Sequence, residues 1–324
     1  MQTSEVWFLK LNHPATTQGL LLRFALLTSA NGFKHVAETW ALVSFRDGRD
    51  GKSETAKTAL KQTHDSAALS RIGVDGIRIG ECELRENYTK GVIQSKGRTI
   101  KWDLSFETVQ KGQFNLVPDL FRRMKLTKNS MTTLNEDLRF AGTLEVEGKT
   151  FKWNNAPGMR AHRSGPYMGH SWMWGHCNAF SDENGRPASL VFEGFSGRSR
   201  MTGFLPSPKF STFYFMYQGN EYHFNTVMDS LHSRSEGGLS EWKFQAERGD
   251  LSFRGHIKAE YRDFTGLTFE DTDGGLFYSA NSNLSDMTIS IYRRGKLEST
   301  FKADGTAALE IVTRQKNPYV PLVV

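Results

Sequence analysis

The chain has 324 residues, with 41 Lys and Arg against 35 Asp and Glu, and its net charge of +6 is scattered without a basic run. Nucleic-acid binding gathers its cations on one face or in a recognition motif; neither is visible here, so no nucleic-acid partner is expected. The length exceeds the usual single domain, so two domains are expected, and 12% aromatic residues can fill their cores or line an aromatic cavity.

The first residues, Met1 to Trp7, lack the basic and apolar regions of a secretory signal. Short stretches with period-two alternation then follow, bounded by Gly, Asn and Asp turns. In the first part of the chain they cover residues 6–11, 20–28, 35–45, 76–83, 99–108 and 138–146. The apolar stretch 19–28 contains Arg23 and is far too short to span a bilayer, so no integral membrane segment is expected. In 35–45 the residues Val36, Glu38, Trp40 and Leu42 share one face. If that face is apolar and buried, Glu38 is partly desolvated and becomes a candidate general acid; the alternative turns Ala37 and Ala41 inward instead. Residues 53–70 lack an apolar stripe and read as a long loop with a little helix, and 118–125 reads as one short helical turn.

The second part continues with strands at 169–180, 189–195, 211–217, 221–227, 241–246, 251–261, 287–292 and 307–313. Strand spacing near ten residues with almost no helical period gives an all-β expectation of sandwiches or barrels. The stretch 169–180 is the most informative, because His170, Trp172, Trp174 and His176 alternate on one face, with Ser171, Met173 and Cys177 on the other. Two aromatic walls beside titratable rings suit a ligand pocket. His170 and His176 stand roughly 20 Å apart along a regular strand, too far to share one ion, so no metal is expected. Glu193, between Val191 and Phe195, is a second carboxylate on a strand of mixed faces.

Residues 138–151 echo 251–264 in Leu, Phe, Gly, Glu and Phe positions, pointing to two similar halves. With that offset the later copy lacks the His/Trp face. A Gly- and Pro-containing linker at 196–209 places the domains at 1–195 and 196–324. Cys82 and Cys177 lie in unrelated segments without metal spacing, which favours a reducing compartment, and with no signal the chain is expected in the cytoplasm. Phosphate loops, nucleophile elbows and Cys/His signatures are missing, and Asp271-Thr-Asp273-Gly274-Gly275 reads as an acidic turn, not a calcium loop. Asp263 reads as a turn or surface carboxylate.

His35-Val-Ala-Glu38-Thr-Trp40, Phe140-Ala-Gly142, Gly169-His170-Ser-Trp172-Met-Trp174-Gly175-His176 and Phe192-Glu193-Gly194 together give a pattern that covers nearly the whole chain. It resembles the two-domain lipocalin-like superfamily of hydroxyneurosporene synthase (carotenoid 1,2-hydratase), tocopherol cyclase and AttH-type proteins. The resemblance implies two antiparallel lipocalin-like barrels packed side by side, with an apolar cavity in one or between both. It also implies an apolar, isoprenoid- or lipid-like ligand and no cofactor.

Protonation of an alkene needs a positioned acid and aromatic faces that tolerate a cation. His170, Glu38, His176 and Glu193 are therefore the candidate acids, and Trp172, Trp174, Trp40 and Phe180 the candidate ligand contacts. Hydration or cyclisation by acid catalysis stands beside carriage without chemistry, with a sugar-binding β-protein as a third reading. The oligomeric state is open.

Overall fold

In the computed structural model, residues 2–13, 15–46, 55–73, 76–118, 128–199 and 206–324 are described. They form two large antiparallel sheets, the all-β architecture expected from the alternation and the two-barrel arrangement that the family resemblance implies. The first contains β1 (Thr3–Asn12), β2 (Gln18–Thr28), β3 (His35–Arg46), β4 (Thr55–Asp65), β5 (Leu69–Ile72), β6 (Gly76–Ile79), β7 (Cys82–Leu84), β8 (Tyr88–Ser95), β9 (Arg98–Gln110), β10 (Phe114–Asn115), β11 (Ser130–Val146) and β12 (Lys149–Gly165). The second contains β13 (Ser171–Cys177), β14 (Phe180–Ser181), β15 (Pro187–Ala188), β16 (Leu190–Arg198), β17 (Phe210–Tyr217), β18 (Asn220–Phe224), β19 (Arg234–Gly237), β20 (Glu241–Arg248), β21 (Leu251–Lys258), β22 (Thr265–Glu270), β23 (Leu276–Arg293) and β24 (Lys296–Thr313).

Strand order in the first sheet runs β4-β3-β2-β1-β12-β11-β9-β8-β7, continuing to β6 and β5. The second runs β18-β17-β16-β13-β24-β23-β21-β20-β19, repeating that path strand for strand. The short strand β10 pairs with β11 as β22 pairs with β23. Thus β1 corresponds to β13, and β11 to β23. The sequence echo between 138–151 and 251–264 joins β11 to β21, which hold different places in the two sheets. Alternation common to any pair of strands produced that match. The His/Trp strand therefore has its counterpart in β1, not in residues 283–289.

The sheets change over between Gly165 and Ser171. The sequence placed this change at 195, but β13 and β16 hydrogen-bond within the second sheet, and β16 continues through 196–198. The strands on either side of the Gly- and Pro-containing stretch 196–209, β16 and β17, pair with each other within one sheet.

Residues 55–65, expected as loop, form β4, bonded along the full length of β3. Its pattern is faint because only Thr58, Ala59 and Leu60 are buried in this strand next to β3. A single 3-10 turn, Ser66–Ala68, follows. The turn expected at 118–125 lies, from residue 119 on, outside the described residues, as do Ser53 and Glu54. The one described α-helix, α1 (Val227–Leu231), carries a capping box between Thr226 and Asp229. Among the described residues no helix is long and apolar enough to cross a membrane.

Each sheet curls around its own apolar core. Trp7, Leu9 and Leu11 of β1 join Leu22, Phe24, Trp102, Phe140 and Trp153 in the first. The second is filled largely by aromatic rings: Phe192, Phe213, Phe244 and Phe253 contact one another with centroids 4.9–6.3 Å apart. Phe180 and Cys177 belong to this interior, and both cysteines are buried free thiols. Gly175 is needed for the packing of β13, since a Cβ there would stand 2.4 Å from Ile257 Cδ1.

The opposite faces of the same strands meet between the sheets. Two further clusters draw on both halves, one around Phe8, Trp174 and Tyr214, the other around Leu21, Trp40 and Phe277. Asp263, expected at the surface, is 1% exposed and joins the halves by accepting from Arg46 and Thr55. Asn12 reaches the carbonyl of Asn283 at 2.7 Å, and Asn178 reaches Asp137 at 2.8 Å. The cysteine, aromatic and amide placements all follow from one choice: which strand face turns into the barrel.

Candidate functional site

A cavity of about 970 Å³ lies between the two sheets. Both barrel interiors are filled by side chains, so the cavity is the space left where the outward faces of β1, β2, β13, β16, β23 and β24 diverge. Its apolar wall includes Phe8, Leu21, Met131, Trp172, Trp174, Phe195, Phe210 and Phe269. Val227, Ser230 and Leu231 of α1 border it as well, and Leu231 is exposed.

Strand register sets the polar part of this wall. Phe195 stands opposite Trp174, Trp174 opposite Glu310, and Glu310 opposite Asn281. One row across four strands therefore presents a phenyl ring, an indole, a carboxylate and an amide to the same space. Glu310 is fixed from both sides: Trp172 donates its indole N–H to Oε2 at 3.0 Å, and Ser279 donates to Oε1 at 3.0 Å. Asn281 Oδ1 is buried and accepts no hydrogen bond. Ala307, Leu309 and Ile311 face the barrel core, which sends Glu310 to the other side.

The segment 166–170 closes one flank. Asp271 accepts the backbone N–H of Met168 at 2.9 Å and a hydrogen bond from Arg314 at 3.2 Å. Thr272 donates to the carbonyl of Pro166 at 2.6 Å. The acidic segment 271–275 is a turn, as expected, closed by Gly274 N–H to Asp271 O at 3.0 Å. The Asp271 carboxylate is buried and structural.

Trp174 separates the cavity from a buried polar cluster. Its indole donates to Glu193 Oε1 at 2.7 Å, and Thr133 donates to Oε2 at 2.7 Å. Glu193 also faces Glu136 of β11. Among the described residues no donor hydrogen-bonds either Glu136 oxygen, and His176 Nε2, 3.8 Å from Oε2, belongs to a neutral ring, so an ionised Glu136 would be buried without a counterion. Burial raises its pKa well above the usual carboxylate range, and the Glu193 charge raises it further. Burial raises Glu193 too, opposed by the hydrogen bonds it accepts. One proton shared between them, carried by Glu136 and donated to Glu193, satisfies the pair.

His176 is fully buried beside this pair. Its Nε2–H donates to the backbone carbonyl of Glu136 at 3.0 Å, leaving Nδ1 without a partner. Burial, with the nearby Lys10, holds the imidazole well below its ordinary pKa and therefore neutral. Lys10, on β1, is itself fully buried, donates to Thr306 O at 2.9 Å, and is lowered by burial to about 8.

The eight residues singled out from sequence are thus distributed over several environments. Trp172 and Trp174 line the cavity together. His170 stands just before β13, its ring near Ser171 Oγ at 3.1 Å, outside the lining. Glu193 and His176 share the expected face but lie deeper, where the sheets close against each other. Glu38 accepts from Trp40 at 3.1 Å and lies 3.5 Å from Lys61. Both belong to β3, where the Glu38 face turns toward the second sheet and Ala37 and Ala41 fill the first barrel. Trp40 is sealed in that contact, and Phe180 points into the second barrel, so neither reaches the cavity.

Glu310, Asn281, Arg23 and Glu136 were not singled out from sequence. Glu310 left a signal, a lone carboxylate between Ala308 and Val312 on an otherwise apolar strand face. Glu136 left none, because it sits in a polar stretch, 135–137, at a register shift in β11.

No protein-family model matches the chain, and no curated protein matches its sequence. Solved structures do match its fold. A protein named AttH from Nitrosomonas europaea is 11% identical, with 98% of this chain and 93% of that chain covered and a TM-score of 0.52. CghA, solved with Sch210972, is 9% identical over 96% of this chain and 88% of its own, with a TM-score of 0.55. Kievitone hydratase from Nectria haematococca is 10% identical over 95% and 88%, with a TM-score of 0.53. The likeness spans both sheets, so the chain shares the fold of AttH, CghA and kievitone hydratase.

Proposed function

We propose that the chain binds an apolar small molecule, of isoprenoid or similar lipid-like character, between its two sheets and hydrates or cyclises it by acid catalysis. The observation that carries this reading is the row Trp174, Glu310, Asn281 on the cavity wall. A mostly apolar space with a few converging polar groups is the usual form of a small-molecule site. Trp172 and Trp174 offer π faces to a developing cation, and Glu310 is the carboxyl group placed to give or take a proton at the ligand. The Glu136–Glu193 pair supports Trp174 from behind. The fold shared with a hydratase agrees with such chemistry, although fold alone assigns none.

Carriage without chemistry is the second reading. It is favoured by the placement of the shared proton behind Trp174, away from the cavity. Mass spectrometry of solvent extracts from purified protein tests the common part of both readings. The expected result is one apolar molecule recovered in near-stoichiometric amount, and lost from a Leu21→Trp variant whose new indole occupies the cavity. Recovery of only polar, sugar-like molecules would refute it.

A further inference from the structure

The cavity wall is not electrically neutral. Among the described residues it carries four cationic side chains, Arg23, Arg163, Arg198 and Lys209, against two carboxylates, Asp273 and Glu310. Three of the cations are occupied. Arg163 donates to Ser4 and to the Tyr167 carbonyl, Arg198 to the Ser207 carbonyl, and Lys209 to the Ser235 carbonyl.

Arg23 is different. Its guanidinium lies 5.1 Å from the ring centre of Trp40 and 4.8 Å from that of Phe269. The rings fix its plane without using its N–H groups. Among the described residues it has no hydrogen-bond acceptor, and no carboxylate stands within ion-pair distance. Nε is buried and unpartnered. The carboxylates that act on it through space are engaged elsewhere: Glu310 by Trp172 and Ser279, Glu38 by Trp40 and Lys61. Burial lowers the Arg23 pKa, yet a guanidinium remains charged at neutral pH. Arg23 is a half-buried cation on the cavity wall, and among the described residues no carboxylate pairs with it.

We infer that the ligand of the inter-sheet cavity is an organic anion, an apolar body ending in a carboxylate, enolate or phenolate that binds the free N–H groups of Arg23. The inference rests on the cavity reading above and adds the chemical class of its ligand. The apolar body lies along Phe8, Trp172 and Trp174, and the anionic end meets, from the cavity side, the planar fork of Arg23, which is itself held between Trp40 and Phe269 and suits two acceptor oxygens.

The test uses retinoate and retinol, which share one polyene body and differ in the charged end. Their binding to the full chain is read by quenching of tryptophan fluorescence. Wild type is expected to bind retinoate at least tenfold more tightly than retinol. Arg23→Gln is expected to weaken retinoate about tenfold or more while leaving retinol within about twofold, and its unchanged retinol binding shows that the cavity is intact. Arg23→Lys keeps the charge without the fork and is expected to fall between wild type and Arg23→Gln. If Arg23→Gln disturbs folding, so that retinol binding falls as well, the wild-type preference and the Arg23→Lys value still decide the matter. Equal binding of both probes by wild type, or equal loss of both in Arg23→Lys, overturns the anion inference and leaves the apolar cavity standing. Failure of both probes to bind, or binding unaffected by Leu21→Trp, overturns the cavity reading itself and this inference with it.

Discussion

Trp174 donates its indole N–H to Glu193 at 2.7 Å, and through that bond the wall of the cavity is tied to a buried carboxyl pair. One face of the indole lines the cavity and its polar edge meets the seam between the sheets. Glu193 in turn needs the proton on Glu136. The position of the cavity wall and the protonation state of the seam are therefore linked.

The link gives Glu136 a measurable pH signature. Its folded pKa is raised, so its contribution to stability is present below the unfolded value near 4.5 and is lost as pH rises above it. Glu136→Gln removes the titration while keeping a donor for Glu193. The melting temperature of the variant relative to wild type is expected to rise between pH 4.5 and pH 8, by an amount corresponding to roughly 1–3 kcal/mol. Parallel melting curves across that range would contradict the shared-proton assignment.

Lys10 gives the opposite sign. Its folded pKa of about 8 lies below the unfolded value of 10.5, so stability rises as pH climbs from 8 to 10.5 and is lost on the way back down. Chemical denaturation of wild type and Lys10→Met should diverge over that interval by on the order of 3 kcal/mol, with wild type gaining. A constant difference between the two would show that the amine is not desolvated when folded.

Aromatic rings in the second barrel serve a different purpose from those on the cavity wall. Phe213→Ala removes a fully buried ring contacting Phe192, Trp242, Phe244 and Phe253, and is expected to cost about 3–5 kcal/mol without changing ligand affinity in the folded fraction. Trp172→Ala should do the reverse: it takes away ligand contact and leaves Glu310 without its indole donor, at a smaller cost in stability. Urea denaturation paired with a fluorescence titration separates the two effects.

Asp263 supplies a buried charge contact between the halves through Arg46. Asp263→Ala leaves that guanidinium with the Leu284 carbonyl but without its carboxylate, and a loss of about 3–5 kcal/mol is expected from thermal or denaturant unfolding. A change below about 1 kcal/mol would place the pair among weak surface bridges.

Much of the fold was legible because period-two alternation is a direct consequence of strand geometry. Alternation separates two faces but does not say which one turns into a barrel. This is why, of the four aromatic residues expected as ligand contacts, Trp172 and Trp174 line the cavity while Phe180 and Trp40 do not. In β3 the ambiguity ran the other way: Ala37 and Ala41 fill the barrel, and Glu38 meets the second sheet. β4 was missed because most of its residues are polar. Glu136 and Asp263 acquire their roles only from partners 57 and 217 residues away, Glu193 and Arg46, which no local pattern contains. Glu310 was within reach of the same reasoning that singled out Glu193, since both are single carboxylates on apolar strands.

The central claim is proton transfer to a ligand held between the sheets. It is tested most directly by incubating the molecule extracted from the protein with fresh protein in deuterium oxide and measuring its mass. Acid-catalysed hydration or cyclisation places one solvent deuteron on a carbon atom, so wild type should yield a product carrying one non-exchangeable deuterium. Glu310→Gln should bind the molecule and return it unlabelled. A molecule returned unchanged and unlabelled by wild type would contradict the account and leave carriage as the function.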